Sequence, residues 1–206
     1  QGKPTELWRS NGTAAGTRLV KDINSSDSSS PTTIVDFNGV AFFAADDGEH
    51  GSELWKSDGT DAGTSLVMDI NPGPAGATLA SFFAAGTTLY FTADDGLSGV
   101  ELWKTDGTAQ GTMMVSDIEP GPVSSTPTQL KSVGNVVVFR ATTTPSGVEL
   151  WKTDGTAQGT TTFEINAGVA ASSPNYLVNW NSAVYFAATS AACANASSLL
   201  TCSRHA

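Results

Sequence analysis

Two short acidic stretches offer the plainest chemistry in this sequence: Ala45-Asp46-Asp47-Gly48 and Ala93-Asp94-Asp95-Gly96. Paired carboxylates beside a glycine turn, with backbone carbonyls nearby, suit a hard cation such as Ca²⁺, which takes about 6–8 oxygen ligands. Asp46, Asp47, Asp94 and Asp95 are therefore the candidate metal ligands, and Ca²⁺ is the one cofactor the sequence brings to mind. The simpler alternative is that Asp-Gly serves the turn and the acids are solvated. Other chemistries find less support. Nucleophilic catalysis needs a base beside the nucleophile, and the chain has only His50 and His205. Two histidines and two distant cysteines do not make the usual zinc spacing. A glycosidase needs only two carboxylates, so acids alone do not exclude one. Trp180, followed by Asn181, is an aromatic beside an amide and a candidate for stacking on a sugar; ordinary packing explains it equally well. No catalytic residue is assigned.

What positions these groups is a repeat. Glu-Leu-Trp occurs at Glu6-Leu7-Trp8, Glu53-Leu54-Trp55, Glu101-Leu102-Trp103 and Glu149-Leu150-Trp151, with Trp-to-Trp steps of 47, 48 and 48. Each copy runs on into two Gly-Thr pairs, as in Gly107-Thr108 and Gly111-Thr112. A fixed period of about 40–50 residues marks a propeller, solenoid or array. The acidic stretches fall at equivalent places in two copies, whereas the later ones carry Thr142-Thr143-Thr144 and Thr189-Ser190 there. Half the copies thus lack these carboxylates, but most Asp and Glu residues of the chain sit at equivalent repeat positions, which argues for a structural role, because an active site is built once.

One period reads as four short strands, at Leu79–Ala84, Thr88–Ala93, Val100–Thr105 and Thr112–Ile118, rich in aromatic and β-branched residues. Asp106-Gly107 supplies the positive φ of a tight hairpin turn, and Glu119-Pro120-Gly121-Pro122 stops the ladder. No helix is expected. Four strands in about 48 residues is the size of one β-propeller blade. The N-terminus carries only the third and fourth strands, Glu6–Ser10 and Thr17–Ile23, and the C-terminus only the first and second, Tyr176–Trp180 and Ala183–Ala188. The expected fold is an all-β propeller of four blades, the last closed by pairing the N- and C-terminal strands. A piece of a longer array is the alternative. Residues 1–190 then form a single repeat domain, with repeats at 32–70, 78–118 and 127–165 and a split blade from 1–23 and 174–190. Residues 191–206 form an irregular tail.

The sequence resembles the bacterial repeat family with the signature Glu-Leu-Trp-x-x-Asp-Gly-Thr-x-x-Gly-Thr, sometimes called hyalin-like. The matching residues include Trp55 with Asp58-Gly59-Thr60 and Gly63-Thr64, and the copies built on Trp103 with Asp106 and Trp151 with Asp154. The first copy, around Trp8, departs by carrying Asn11 in place of Asp. The resemblance implies a secreted or cell-surface location and a repeat architecture; it implies no activity. The four repeat tryptophans are expected to pack between blades, since a recurring aromatic at a fixed strand position is usually core. Asp58, Asp106 and Asp154 are expected to cap turn amides.

The chain of 206 residues has 20 acidic and 10 basic side chains, a net charge of −10. That balance disfavours nucleic acid, which needs clustered Lys and Arg, and docking on anionic membranes. No run of about 20 apolar residues is present to span a bilayer. Cys193 and Cys202, nine residues apart, fit a disulfide in an exported protein; two unpaired thiols are the alternative. The chain starts at Gln1 without a visible signal peptide and reads as a processed form. Three functional classes follow. The leading one is an exported, non-enzymatic binding or structural module with a glycan or protein partner. A hydrolase or lyase acting on glycans through channel-facing carboxylates is the second. The third is a structural repeat protein that self-associates through exposed strand edges.

Overall fold

The computed structural model describes residues 4–163, 165–166 and 170–190, and within them the chain is all β, with sixteen strands and no helix. Strands β3 (Thr32–Phe37), β4 (Val40–Asp46), β5 (Ser52–Ser57) and β6 (Ser65–Met68) form an antiparallel sheet in sequence order. The next repeat does the same with β7 (Ala80–Ala85), β8 (Thr88–Asp94), β9 (Val100–Thr105) and β10 (Met113–Ser116). A third such sheet holds β11 (Thr128–Val133), β12 (Val136–Thr143), β13 (Gly147–Thr153) and β14 (Thr161–Phe163). The ends supply half-repeats: β1 (Leu7–Arg9) pairs with β2 (Arg18–Lys21), and β15 (Asn175–Trp180) with β16 (Ala183–Ala187), as two separate two-stranded sheets. The expected strands are present to within a few residues at each end. The chain divides into two compact units, Gln1–Ser124 and Ser125–Ala206.

The repeat is legible in backbone detail that no propensity scale predicts. Every first strand carries a register slip, between Thr32 and Val35, Ala80 and Phe83, Thr128 and Lys131, and Asn175 and Val178. The cause is one residue in the left-handed region at each place: Thr33 (φ 53°), Ser81 (φ 54°), Gln129 (φ 57°) and Tyr176 (φ 60°). An extra residue in one strand bends it and increases its twist. The left-handed region costs a non-glycine residue roughly 1–2 kcal/mol, so something must hold it. A backbone bond just upstream recurs in all four copies: the amides of Asp46, Asp94, Thr142 and Thr189 donate to the carbonyls of Ser29, Ala77, Ser125 and Ser172, at 2.7–2.9 Å. Residues 172–190 thus begin a true fourth repeat.

Apolar packing runs from one repeat to the next. In the first unit, Leu7, Val20 and Ile23 of the N-terminal half-repeat bury Phe43, Ala45 and Trp55 of the sheet that follows. Phe42, Leu54 and Val67 of that sheet in turn bury Leu89, Phe91 and Trp103 of the next, with Phe82 stacked on Phe91 at 5.5 Å. In the second unit, Val138 and Leu150 pack with Leu177, Val184 and Phe186. Within the first unit, each joint thus sets the Leu/Val face of one repeat against the Trp-bearing face of the repeat after it.

Two expectations change. The repeat Trp is core at Trp55 (6% exposed) and Trp103 (5%), but Trp151 is only partly buried and Trp8 is 60% exposed. The Asp-Gly step does not make a two-residue hairpin either, because the loop runs from Thr105 to Met113 before the ladder resumes. Gly107 does take the positive φ, at 95°.

Because Trp103 fills the joint between two sheets, Trp103→Ala is expected to destabilise the fold by about 3–5 kcal/mol through the cavity it leaves. Chemical denaturation followed by intrinsic fluorescence measures this. A loss below about 1 kcal/mol, the level of an exposed-site substitution, contradicts the packing assignment.

Candidate functional site

The most unusual side chains are the glutamates that open each Glu-Leu-Trp. Glu6, Glu53, Glu101 and Glu149 are all buried, three of them to 1% exposure or less. Burying a carboxylate is costly unless its oxygens find donors, and here the backbone supplies them. The amide of the residue 17 positions on donates to the carboxylate in three repeats: Ile23 to Glu6 at 2.8 Å, Ile70 to Glu53 at 2.8 Å, and Ile118 to Glu101 at 3.1 Å. The carboxylate also reaches further along the same connection. Glu6 accepts the Ser29 amide at 2.9 Å and its hydroxyl at 2.5 Å, and Glu149 takes the amide and hydroxyl of Ser172 in the same manner. Glu53 accepts the Asn71 amide at 3.1 Å instead, because Ala77 stands where the serine would be. Each glutamate thus ties the third strand of its repeat to the segment that leads into the next. Sequence reasoning left these glutamates out of the site residues, although their invariance across the four copies was the available signal.

The Asp-Gly-Thr loops are built as expected. Asp58 Oδ1 accepts the Thr60 amide at 2.8 Å and its hydroxyl at 2.6 Å, and Asp106 and Asp154 repeat both bonds with Thr108 and Thr156. Asn11 holds Thr13 in the same way, so the amide in the first copy preserves the geometry. The Thr hydroxyl, then its amide, hold the Asp58 and Asp106 carboxyls below the usual carboxylate range. The second glycine of the motif is dictated by contact: a Cβ on Gly111 would lie 2.1 Å from Asp106 Oδ1. Across the joint, Arg9 donates to the Gly59 carbonyl at 3.0 Å and Lys56 to that of Gly107 at 2.8 Å. The cation at this position therefore latches one repeat onto the turn of the next.

The acidic stretches close their own loops. Asp46 Oδ1 accepts the Gly48 amide, and Asp94 Oδ1 that of Gly96. Asp47 Oδ1 accepts the amides of Glu49 and His50, each at 3.0 Å, while its second oxygen meets His50 Nδ1 at 2.8 Å. Asp95 takes the amides of Leu97 and Ser98. Burial alone would raise the Asp47 carboxyl; the amides and the His50 ring outweigh it and hold it low, and the same contact raises His50. Among the described residues no three His, Cys, Asp or Glu side chains gather as metal ligands do. These four carboxylates have turn amides as partners.

Trp180 ends β15 and is 60% exposed, leaning on Tyr185 with ring centroids 5.1 Å apart. Asn181 (φ 46°) and Ser182 (φ 60°) make the two-residue turn into β16, as a primed hairpin turn requires. Tyr176 and Val178 are exposed as well, so Trp180 belongs to an apolar face; it is not an isolated ring beside an amide. Cys193, Cys202 and His205 lie outside the described residues. No helix of the described residues is long and apolar enough to cross a membrane.

No protein-family model matches the chain, and no curated protein matches it. Solved structures do. The chain is similar to the computationally designed Ika8 protein, at 18% identity and a TM-score of 0.41, over 77% of this chain and 42% of that one. It is also similar to the computationally designed Ika4 protein, at 16% identity and a TM-score of 0.44, over 80% of this chain and 89% of that one.

Three outcomes are expected. Glu149→Ala strands the Ser172 amide and hydroxyl, and at about 1–3 kcal/mol per unpaired buried group it should destabilise strongly in a denaturation experiment. Burial pushes Glu53 up to about 7 against the pull of the Ile70 and Asn71 amides. A folded-state value above the unfolded one means stability is greatest below the ordinary carboxylate range and falls as pH rises through about 7. The raised His50 moves stability the same way, so a His50→Ala background isolates Glu53, and adding Glu53→Gln should flatten the remaining slope. Finally, Ca²⁺ and Mg²⁺ at matched ionic strength should shift the melting temperature equally, since screening alone acts on satisfied carboxylates. A Ca²⁺-specific rise would restore the metal sites.

Proposed function

We propose that this chain is a non-enzymatic surface module of an exported protein, built from propeller-type blades and used to bind or to carry other proteins. One observation supports this above the rest. The buried glutamates, the Asp-Gly-Thr aspartates and the paired aspartates of the acidic stretches all accept hydrogen bonds from their own loops and connections, in the same way from copy to copy. A hydrolase or lyase needs at least two carboxylates placed once and free to meet substrate.

The finer architecture that goes with this function is a propeller of four blades. Its fourth blade combines β15 and β16 as first and second strands with β1 and β2 as third and fourth. Support comes from repeat positions: β15 and β16 carry the bulge and the upstream backbone bond of a first and second strand, and β1 and β2 carry the glutamate and the Asn11 loop of a third and fourth. The resemblance to the Glu-Leu-Trp-x-x-Asp-Gly-Thr repeats of secreted and cell-surface proteins supports the exported location. The apolar character around Trp180 favours a protein partner over a sugar at that face.

The experiment is a panel of polysaccharides assayed for turnover, run beside a glycan array. No turnover and no Trp180-dependent glycan signal are expected. Turnover abolished by changing a single carboxylate would refute the non-enzymatic function.

A further inference from the structure

We infer that the joint between the β3–β6 sheet and the β7–β10 sheet holds a small binding site for one neutral pyranose ring of a glycan. The site is additional to the protein-binding role proposed above and uses none of the residues around Trp180. Both sheets belong to the first compact unit.

A cavity of about 260 Å³ opens at one rim of this joint, between the β3–β4 turn and the Asp-Gly-Thr loop that follows β9. Pockets for drug-sized ligands run to roughly 300–1,000 Å³, so the space suits a single small ring. Its inner wall is apolar. Phe37 and Phe42 are buried and meet edge to face with ring centroids 5.7 Å apart, and Val40 lines the cavity with them. The Phe42 ring reaches the loop itself, since a Cβ on Gly107 would stand 3.1 Å from Phe42 Cζ.

The outer rim is polar. Lys56 uses one of its three N–H donors on the Gly107 carbonyl at 2.8 Å, leaving two. Asp106 takes the Thr108 amide and hydroxyl through Oδ1, leaving Oδ2 as an acceptor. Asn38, an exposed turn residue on the same rim, adds an amide that both donates and accepts. The Thr108 hydroxyl and amide lead in holding the Asp106 carboxyl low, and the Lys56 ammonium adds to them. The rim thus sums to zero charge while offering donors and acceptors together. A free anion would be repelled by Asp106, and a free cation by Lys56. Hydroxyl groups both donate and accept, and a pyranose carries them around a ring whose C–H face can lie on Phe37 and Val40. An apolar wall with a few convergent polar groups is what small-ligand sites share.

Motif residues and residues peculiar to this repeat meet here. Lys56 and Asp106 have counterparts in Lys104 and Asp154. The pair that closes the turn, Phe37 with Val40, is replaced by Ala85 with Thr88 in the next repeat, and Asn38 by Gly86. The next repeat therefore keeps the scaffold without the wall. With one carboxylate among its lining residues, the cavity lacks the pair that glycoside hydrolysis needs. It binds without turnover.

Amide NMR titration of the whole chain tests this, with methyl glucopyranoside, galactopyranoside and mannopyranoside as probes and free leucine as a zwitterionic comparison. At least one hexoside should shift the Gly39, Val40, Gly107 and Thr108 amides saturably, with a dissociation constant in the millimolar range. Asp106→Asn should weaken that binding by at least about tenfold, since a hydrogen bond to a charged acceptor is lost. The loop tolerates the change, because Asn11 holds Thr13 in the same geometry. Asn38→Gly, which matches the next repeat at Gly86, should weaken binding several-fold. Asp58→Asn makes the same change in the neighbouring loop and should leave the affinity unaltered. No saturable shift with any hexoside overturns the inference, as does binding that Asp106→Asn leaves intact or that Asp58→Asn weakens equally. Leucine shifting these amides more strongly than every hexoside assigns the cavity to amino acids and rejects the sugar.

Discussion

The interaction on which this structure depends is a buried carboxylate accepting backbone amides from a segment with no ladder of its own. After its fourth strand each repeat must leave one sheet and start the next, and that connection has buried N–H groups to satisfy. Neither a proline-rich nor a serine-rich linker can do so by itself. The glutamate reaches across from the third strand and takes two donors, Ile23 and Ser29 in the first repeat and Ile70 and Asn71 in the second. These bonds reduce the cost of burying the group, although at Glu53 desolvation still outweighs the Ile70 and Asn71 amides. Within the first unit, strand, linker and following sheet are thereby tied together, and the Leu/Val surface of one repeat meets the tryptophan of the next.

From that constraint the rest follows in order. The Asp-Gly-Thr loop holds the third and fourth strands at the spacing the glutamate requires, with Ser57 and Thr64 hydroxyls bonded at 2.7 Å across the loop base and the same pair at Thr105 and Thr112. Arg9 and Lys56, the cations after Trp8 and Trp55, then reach the next loop.

Much of this was legible in the sequence, for identifiable reasons. Strand positions follow from β-rich runs bounded by Gly, Asn and Pro, and the period follows from a motif too long to recur by accident. The turn-capping role of Asp58, Asp106 and Asp154 follows from Asp-x-Thr chemistry. The role of Glu6, Glu53, Glu101 and Glu149 was not legible, because an isolated Glu in a strand ordinarily reads as solvated; only the fold shows that an unpaired linker lies within reach. The bulge at Thr33, Ser81, Gln129 and Tyr176 was hidden as well, since four different residue types take the same left-handed conformation and tertiary bonds, not propensity, hold it. The exposure of Trp8 and the aromatic face around Trp180 depend on what adjoins them, and a motif carries no information about its neighbour.

The most direct test is amide hydrogen exchange at Ile23, Ile70 and Ile118. These residues lie outside every strand, so secondary structure alone gives them the fast exchange of a loop. If the buried glutamates hold the connections, the three amides should exchange as slowly as mid-strand amides of β4 and β8, and Glu53→Ala should release Ile70 selectively. Loop-like exchange at all three in the unaltered chain would contradict the central role assigned to the carboxylate.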